Sequence, residues 1–231
     1  MKILSLITAR GGSKRLPGKN TRPLDGKPLV LWSIDVVKNI PQICNILVST
    51  DDIKTAEICR GAGASVPWLR PAELASDEAS SVDVAIHALD WYEDNREKVD
   101  GLLLMQPTSP FRTEASVREG IRIFTENAGK YPVLGVSRTS SHPMWMLKIE
   151  NDFMKPLMAE SGFGLRSQDL PPVYSVNGSF YLISPAQLRE NKSFISELTL
   201  PLLINSDFEA IDIDTEHDWA IAESLLKSDN R

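Results

Sequence analysis

Residues 3–20 read Ile-Leu-Ser-Leu-Ile-Thr-Ala-Arg-Gly-Gly-Ser-Lys-Arg-Leu-Pro-Gly-Lys-Asn, an apolar run that leads directly into a basic, glycine-rich loop. Residues 3–7 are typical of a buried strand, and Gly11 and Gly12 indicate that the chain leaves this strand as a loop. Glycine permits positive φ and lets backbone N–H groups approach an anion closely. Four basic side chains and no acidic one lie within residues 9–20. Because open α/β sheets bind ligands at the carboxyl ends of their strands, this loop is predicted to bind a polyphosphate.

The rest of the chain alternates between short apolar runs and segments with helical spacing. Predicted strands cover residues 3–7, 46–50, 101–105, 131–136 and 176–183, and predicted helices cover 29–40, 51–60, 82–91, 113–126 and a last segment after Thr215. This order predicts an α/β fold with a mainly parallel sheet covered by helices on both faces. The alternation lapses between residues 138 and 175, which makes that segment a candidate insertion or interface arm. No linker divides the chain, so one domain over residues 1–231 is expected.

The composition of the 231 residues excludes several classes of protein. Hydrophobic residues make up 42% and charged residues 24%, which is unlike a disordered, collagenous or coiled-coil chain. The longest apolar runs fall far short of a membrane span, and the run before Arg10 is too short for a signal peptide. Cys44 and Cys59 have no metal-binding spacing and are too few for a disulfide framework. A cytoplasmic protein with reduced thiols and no membrane association is therefore expected.

The net charge of −6 is distributed unevenly along the sequence. Residues 1–38 carry a net charge of +6 and the remainder −12, and residues 207–218 hold six acidic side chains and no Lys or Arg. On composition alone, both regions are compatible with solvated faces. The more specific interpretation is an anion-binding loop near the start and a cation-binding site near the end. Nucleic acid is not expected as a partner, because the acidic remainder would repel its phosphate backbone.

Two common nucleotide-binding patterns do not match the glycine-rich loop. A P-loop has four residues between its first glycine and Gly-Lys-Ser/Thr, and counting back from Gly18 and Lys19 places Ser13 at that first position. Asn20 stands where the P-loop has its magnesium-binding hydroxyl. The dinucleotide pattern G-x-G-x-x-G is also absent. A polyphosphate would therefore be bound by a loop of a different design.

Asp212 and Asp214 form a candidate cation site near the end of the chain. They are two positions apart, so on an extended segment both carboxylates face the same side. Mg²⁺ typically takes one or two protein carboxylates and completes its coordination with phosphate oxygens and water. The alternative is a solvated strand end. Asp218 is expected to cap the last helix together with Thr215, as in a capping box, and Glu216 is expected to be solvated.

The glycine-rich loop closely resembles the first motif of the acylneuraminate cytidylyltransferases, which make CMP-sialic acid and its bacterial relatives. Four later segments resemble further motifs of this family in the same order: Arg70-Pro-Ala-Glu-Leu-Ala-Ser-Asp-Glu-Ala-Ser-Ser81, Leu104-Met-Gln-Pro-Thr-Ser-Pro-Phe-Arg-Thr113, Asn177-Gly-Ser-Phe-Tyr181 and Asp212-Ile-Asp-Thr-Glu216. The related Kdo-activating enzymes share the general loop design, but the Gly-Gly-Ser-Lys and Gly-Lys-Asn spelling favours the nonulosonate branch. The resemblance implies a single Rossmann-like nucleotidyltransferase domain, with residues 138–175 as a small dimerisation arm. It also implies a homodimer whose sites are completed near the interface.

The reaction implied by the resemblance is nucleotidyl transfer, in which a sugar hydroxyl attacks the α-phosphate of CTP and pyrophosphate leaves. Such chemistry depends mainly on positioning and charge neutralisation. The resemblance assigns catalytic roles to Arg10, Lys19, Asp212 and Asp214, with Mg²⁺ held by the two aspartates. The implied nucleotide-binding residues are Ala9, Arg10, Gly12, Ser13, Lys19, Asn20, Arg70, Ser81 and Gln106. The implied residues for a nine-carbon acid sugar are Gln106, Thr108, Trp145, Arg166, Tyr181 and Phe194.

Arg166 is expected to pair with the carboxylate of the sugar, for which a guanidinium fork is an apt partner. No general base stands out in the sequence. The three histidines are scattered, and each is expected to be structural: His87, His142 and His217.

Three positions depart from the family pattern. Thr8 stands where the family usually has Pro, a change at a strand end with little expected effect. Trp145 stands where sialic-acid enzymes can carry Lys, and Ser175 stands where some carry Arg. The loss of two cations and the gain of an indole predict a less polar sugar pocket. The hypothesis is a substrate with fewer hydroxyls than sialic acid, such as legionaminic acid.

Two alternative functions are compatible with the sequence. One is a nucleotidyltransferase of similar fold that acts on another sugar or a sugar phosphate with UTP or GTP. The other is a nucleotide-binding protein without catalytic activity. Arg166 and the Gln-Pro-Thr-Ser-Pro loop argue against the first, and the second requires binding without turnover.

Overall fold

The computed structural model describes residues 1–159 and 161–229, and within these ranges the chain forms ten strands and seven α-helices. In chain order they are β1 (Ile3–Thr8), β2 (Pro23–Leu24), β3 (Lys27–Pro28), α1 (Leu29–Asp35), β4 (Ile43–Ser49), α2 (Ile53–Gly61), α3 (Ala72–Ala75), α4 (Ser81–Asn95), β5 (Gly101–Met105), α5 (Glu114–Glu126), β6 (Val133–Arg138), β7 (Leu147–Glu150), β8 (Phe153–Pro156), β9 (Tyr174–Ile183), α6 (Pro185–Asn191), β10 (Leu200–Leu203) and α7 (Glu216–Asp229). All five predicted strands and all five predicted helices are present.

The main sheet has six strands in the order β10-β6-β9-β5-β1-β4. β1 is parallel to β4 and β5, and β6 is parallel to β10. β9 lies between β5 and β6 and is antiparallel to both. The prediction of an α/β fold with a mainly parallel sheet is therefore confirmed, with one antiparallel strand inside the sheet.

The side chains of β1 alternate between two hydrophobic clusters, one on each face of the sheet. Ile3 and Ile7 pack with residues of α1, α2 and α5. Leu4 and Leu6 pack with residues of α4 and α6. A strand that is buried on both faces needs no polar alternation, which is why residues 3–7 read as a continuous apolar run.

Helix α1 is shorter than its sequence pattern suggests. The helical spacing predicts residues 29–40, but α1 ends at Asp35 and the chain continues in turns. In these turns Val37 N–H donates to the Ile34 carbonyl, and Ile40 N–H donates to the Val37 carbonyl. All three apolar side chains are buried at intervals of three residues, so the apolar pattern continues after the α-helix has ended.

Side-chain caps mark the starts of predicted helices other than α1. Asp52 accepts the N–H of Thr55 at the start of α2, and Thr113 accepts the N–H of Ser116 at the start of α5. At the start of α7, Asp218 Oδ2 accepts the N–H of Thr215, whose hydroxyl accepts the N–H of Asp218. This reciprocal pair confirms the predicted capping box.

The segment predicted as an insertion or arm forms a small structure of its own. β7 and β8, which follow β6 and precede β9 in the sequence, make a separate two-stranded antiparallel sheet. Twelve large apolar side chains in and beside this segment are between 38% and 73% exposed: Trp145, Met146, Leu147, Ile149, Phe153, Met154, Leu157, Met158, Phe163, Leu165, Tyr174 and Val176. None of the helices in the described part of the chain is long and apolar enough to cross a membrane.

Candidate active site

A cleft of about 540 Å³ lies at the carboxyl ends of β1 and β5. The glycine-rich loop after β1, the loop after β5 and the acidic segment before α7 all contribute to its walls. Ten of the predicted site residues line it: Arg10, Ser13, Lys19, Asn20, Arg70, Ser81, Gln106, Thr108, Asp212 and Asp214. Residues from five separate parts of the sequence are thus brought together at the predicted edge of the sheet.

A third hydrophobic cluster holds the walls of this cleft together. Leu16 from the glycine-rich loop, Phe111 from the loop after β5 and Ile213 from the acidic segment are all buried in it. Trp219 of α7 belongs to the same cluster and is 1% exposed. The segments that carry the charged side chains of the cleft are therefore anchored by packed apolar residues.

Hydrogen bonds at both ends shape the glycine-rich loop. The Gly11 N–H donates to Asp51 Oδ1 over 2.8 Å, and Asn20 Nδ2 donates to the Arg10 carbonyl over 2.8 Å. Gly18 adopts φ +69°, a left-handed conformation that favours glycine, just before a short 3₁₀ turn at Lys19–Thr21. The loop is preorganised by the protein before any ligand binds.

Lys19 is the most buried cation of the loop. Its side chain is 9% exposed, and Nζ donates to Asp214 Oδ1 and to the Ile213 carbonyl, each over 2.9 Å. Arg15 Nη2 contacts the other carboxylate oxygen of Asp214 over 2.6 Å. Asp214 therefore lies directly between two basic side chains.

Asp212 and Asp214 both line the cleft, while Ile213 between them is fully buried. This is the arrangement that their spacing predicts. Although the Asp212 carboxylate faces the open cleft, the surrounding protein limits its hydration and raises its pKa. A hydrogen bond from Thr108 opposes this rise, and the nearby charge of Asp214 adds to it.

The two aspartates provide the donor chemistry that suits a hard divalent cation. No group of three or more His, Cys, Asp or Glu side chains in residues 1–159 and 161–229 is arranged to hold a metal ion. A cation at Asp212 and Asp214 would thus take only two protein carboxylates and leave positions for phosphate oxygens and water, as Mg²⁺ commonly does.

Arg70 forms part of the wall opposite Gln106 and is 7% exposed. Its guanidinium donates through Nε to Ser49 Oγ over 2.9 Å and through Nη2 to the Ser49 carbonyl. Burial lowers the pKa of Arg70 to about 10, and the charge of Asp51 opposes that shift. Arg70 is therefore a fixed cation at the end of β4.

A second cavity of about 440 Å³ adjoins the cleft and shares Gln106 and Asp212 with it. Tyr181 lines this cavity, together with Ser175 and Arg138. The Tyr181 ring packs against Phe194 with ring centroids 5.7 Å apart. Phe194 is 8% exposed and supports this wall from behind.

Four other predicted site residues lie apart from the lining of these two cavities. Ala9 is fully buried, and its N–H donates to the Ser49 carbonyl, so its side chain faces the core. Gly12 is exposed on the outer part of the loop. Trp145 donates through Nε1 to the Gly162 carbonyl within the arm, and Arg166 is exposed in the same segment. Within one chain, the arm does not bring these last two residues to the cleft.

Arg112 is a residue that the sequence reasoning missed. It is 6% exposed and donates to the carbonyls of Gln106 and Ser179 over 2.7 and 2.9 Å, and to Ser33 Oγ over 2.6 Å. Burial lowers its pKa to about 9, and the charge of Asp212 opposes the shift. Arg112 thus ties the loop after β5 to β9. Arg112 lies near the end of the motif of residues 104–113, and no sequence pattern there predicts that its side chain is buried.

Gly178 lies in the motif of residues 177–181, and its own role was not predicted from the sequence. It adopts φ +75°, and a Cβ there would lie 3.2 Å from both Gln106 Oε1 and Ser109 Oγ. The close approach requires glycine and sets the distance between β9 and the loop after β5.

The histidines lie outside the lining of both cavities. His142 Nδ1 accepts the Met144 N–H, and its Nε2 is 3.0 Å from the Pro171 carbonyl. His87 packs against Trp68 with ring centroids 5.3 Å apart, and His217 is exposed on α7. None of the three is placed to act on a ligand in the cleft.

Comparisons with known proteins agree with this geometry. The family model described as cytidylyltransferase matches residues 4–130. The chain is 42% identical over 229 residues to the CMP-N,N'-diacetyllegionaminic acid synthase of Legionella pneumophila, covering 98% of this chain and 97% of that protein. It is 31% identical to the pseudaminic acid cytidylyltransferase of Campylobacter jejuni, covering 98% of this chain and 97% of that protein.

Another relative is longer than this chain. The N-acylneuraminate cytidylyltransferase of Streptococcus agalactiae serotype V is 33% identical over 95% of this chain, which spans 52% of that protein. Among solved structures, CMP:2-keto-3-deoxy-manno-octonic acid synthetase complexed with CTP has a TM-score of 0.73 and 15% identity, covering 99% of this chain and 100% of that chain. The 4-diphosphocytidyl-2C-methyl-D-erythritol synthase of Anaerococcus prevotii has a TM-score of 0.66 and 14% identity, covering 98% and 96%. At these identities the structural likeness shows a shared fold.

Proposed function

Since the chain belongs to the cytidylyltransferase family, we propose that it transfers CMP from CTP to a nonulosonic acid sugar and releases pyrophosphate. The observation that carries this proposal is the cleft, in which the cations of the glycine-rich loop face Asp212 and Asp214. The positive charges suit a triphosphate, and the two carboxylates beside them suit its cation.

The chain's own residues stabilise the charge that develops during transfer. Negative charge grows on the phosphate oxygens, so fixed cations at that position lower the barrier. Lys19 is almost fully buried, and a charge in such surroundings interacts more strongly than it does in water. Arg10 lies on a loop held by Asn20 and therefore costs little to reorganise.

We propose that Asp212 and Asp214 hold Mg²⁺. The ion, when bound, would supply charge neutralisation at the α-phosphate and lower the pKa of the attacking hydroxyl. Asp212 provides a carboxylate open to the cleft, and the neighbouring Ile213 N–H donates to the Thr108 carbonyl over 2.7 Å. Asp214 Oδ1 contacts Lys19 and Oδ2 contacts Arg15, so Mg²⁺ would share this carboxylate with the two cations.

We propose that the nucleotide occupies the larger cleft and the sugar the second cavity. Gln106 lines both and would contact both substrates. Arg70 and Ser81 line the part of the cleft assigned to the cytidine. Tyr181, supported by Phe194, would bound the far end of the sugar. Ala9 and Gly12 would act through their backbone, because the Ala9 side chain faces the core and Gly12 has none.

Legionaminic acid is the proposed sugar, with N-acetylneuraminic acid as the alternative. Ser175 lines the second cavity at the position where some sialic-acid enzymes carry Arg, which supports a substrate with fewer hydroxyls, although Arg138 is a cation in the same lining. Trp145 and Arg166 would reach a sugar only if the arm of one chain approached the cleft of another, so their roles depend on dimerisation.

A homodimer formed through residues 138–175 is part of the proposal. The exposed apolar side chains of the arm support it, because soluble monomers rarely leave so many large apolar groups in water. The proposed location is the cytoplasm. Cys44 and Cys59 are both free thiols, which is compatible with a reducing compartment.

The proposal is tested by pyrophosphate release with each of CTP, UTP, GTP and ATP and with a panel of nine-carbon acid sugars. We expect turnover with CTP, and faster turnover with N,N'-diacetyllegionaminic acid than with N-acetylneuraminic acid. A preference for N-acetylneuraminic acid would contradict the sugar assignment alone. Turnover of a sugar phosphate with UTP or GTP, or nucleotide binding with no turnover of any sugar, would contradict the function itself.

A further inference from the structure

The cations of the glycine-rich loop have anionic partners within the chain itself. Arg10 Nη1 lies 3.0 Å from Asp77 Oδ1, and Lys14 Nζ contacts Asp77 Oδ2. Arg10 Nη1 also donates to the Ser76 carbonyl over 3.2 Å. A single carboxylate therefore bridges two of the four cations in the loop that is proposed to bind the triphosphate.

Asp77 approaches these cations from a different part of the chain. It lies between α3 and α4, in a stretch whose residues Ser76, Asp77 and Ala79 line the same cleft as Arg10. The hydrogen bond from Lys14 lowers the pKa of Asp77, and the charges of Lys14 and Arg10 add to this effect. Asp77 is therefore ionised at neutral pH and lies against two of the cations that are proposed to meet the triphosphate.

The two sets of ion pairs in the cleft differ in exposure. The side chains of Arg10, Lys14 and Asp77 are 37%, 78% and 47% exposed, whereas Lys19 in its pair with Asp214 is 9% exposed. Exposed ion pairs contribute little net stability, because water solvates the separated charges well. Asp77 can therefore leave its partners readily, whereas the buried Lys19 keeps its contact with Asp214.

We propose that Asp77 is an internal competitor of the triphosphate, so that nucleotide binding replaces its carboxylate on Arg10 and Lys14. In this role Asp77 sets the affinity for CTP without contacting the reacting atoms. It also prevents Arg10 and Lys14 from repelling each other while the cleft is empty. The inference rests on the proposed function, since it takes a triphosphate as the ligand of this loop.

The test compares Asp77→Asn with Glu78→Gln, its neighbour in the sequence. Both substitutions remove one negative charge, but Glu78 forms no ion pair among the residues that the structure describes. Binding of CTP and of inorganic triphosphate is measured by calorimetry at low and high salt. We expect Asp77→Asn to bind both ligands about 2- to 10-fold more tightly at low salt.

The same gain should shrink at high salt, because exposed charges are screened there. Glu78→Gln should stay within about twofold of the wild type at both salt concentrations. Equal effects of the two variants would show that Asp77 acts only through the net charge of the protein. Weaker binding by Asp77→Asn would show that Asp77 stabilises the loop in its binding conformation. Either result overturns the inference. Asp77→Ser serves as a second variant, with thermal unfolding as the check that each protein is folded.

Failure of the proposed function would look different from failure of this inference. It would appear in the wild type as a lack of preference for CTP or a lack of turnover, whatever the effect of Asp77. The role of Asp77 is judged by the change in affinity for inorganic triphosphate, which does not depend on the base or the sugar.

Discussion

At the scale of single residues, burial separates charges that look equivalent in the sequence. The glycine-rich loop has four cations, of which only Lys19 is buried. Its Nζ donates to the Ile213 carbonyl and to Asp214, which satisfy the charge in this buried position. Asp214 and Asp218 also look alike, yet Asp218 accepts N–H groups at the start of α7 and Asp214 faces the cleft. A residue's role is set by where its polar atoms lie and which groups they contact in the folded protein.

This distinction predicts that one substitution in the acidic segment affects kcat and another affects stability. Asp212→Asn should lower kcat by about 100-fold or more at saturating Mg²⁺, because it removes one of the two carboxylates that are proposed to hold the ion. Asp218→Asn should retain kcat but lower the free energy of unfolding by about 1 kcal/mol, because it weakens the helix cap. Steady-state kinetics and chemical denaturation measure the two effects. Near wild-type kcat for Asp212→Asn would contradict the assigned role.

The cap of α2 gives a prediction for the dependence of stability on pH. Asp52 Oδ2 accepts the N–H of Thr55 over 2.9 Å as well as its hydroxyl, and these bonds lower the pKa of Asp52. Because the pKa is lower in the folded state, the stabilisation is fully present above the unfolded pKa of about 4 and is lost as the pH falls through the folded value. Asp52→Ala should therefore cost about 1 kcal/mol at pH 7 and progressively less towards pH 3.

The matched control for that prediction is Ser184→Ala at the start of α6. Ser184 caps the helix through its hydroxyl, which accepts the Gln187 N–H, and neither group is ionisable in this range. Its effect on the free energy of unfolding should not change between pH 7 and pH 3. A pH-independent effect of Asp52→Ala would show that its carboxylate is not the source of the stabilisation.

At the scale of elements, α5 packs unusually close to β9. A Cβ on Gly120 of α5 would lie 2.3 to 2.8 Å from three atoms of the Phe180 ring, and Phe180 is 1% exposed. The ring fills the space that a side chain at position 120 would need. This contact fixes the helix against the one antiparallel strand inside the sheet.

Gly120→Ala should therefore destabilise the protein although alanine favours helices. The gain in helix propensity is about 1 kcal/mol, whereas forcing a methyl group into a packed core typically costs about 1–3 kcal/mol, and more where nothing can move. We expect a net loss of about 1–2 kcal/mol in the free energy of unfolding. Gly61→Ala in α2 is the control, because nothing lies within 4 Å of a Cβ there. It should be neutral or stabilising, and equal effects of the two substitutions would refute the packing argument.

At the scale of the whole molecule, the apolar surface of the arm is a property that no single element explains. β7 and β8 pair only with each other in the described structure, so the apolar side chains on their faces have no helix to cover them. Ile149 and Phe153 are 73% and 72% exposed. The proposed dimer would cover apolar surface of the arm in a symmetric interface.

The double substitution Ile149→Asp and Phe153→Asp should convert a dimer to a monomer, because it places charges in an apolar interface. Light scattering coupled to size-exclusion chromatography measures the mass of each protein. Ile53→Asp is the control, since Ile53 is 61% exposed but lies at the start of α2. A monomeric wild type, or a dimeric double variant, would contradict the role assigned to the arm.

Local patterns in the sequence determined the fold class, the order of the main strands and helices, and the capping of α7. They did so because a buried strand, an amphipathic helix and a capping box each have a short-range signature. Motifs also identified ten residues that line one cleft, since loops at the carboxyl ends of neighbouring strands converge. α6 and β10 were missed because their short sequences lack a clear period.

Only the tertiary structure decided how distant segments meet. The direction of β9, the contact of the buried Arg112 with β9 and the contact of Asp77 with Arg10 all join residues far apart in the sequence. The same long-range packing left Trp145 and Arg166 outside the cleft of a single chain. Strand pairing and loop contacts of this kind depend on which surfaces fit and which charges remain unpaired after the core has packed, and no local spacing carries that information.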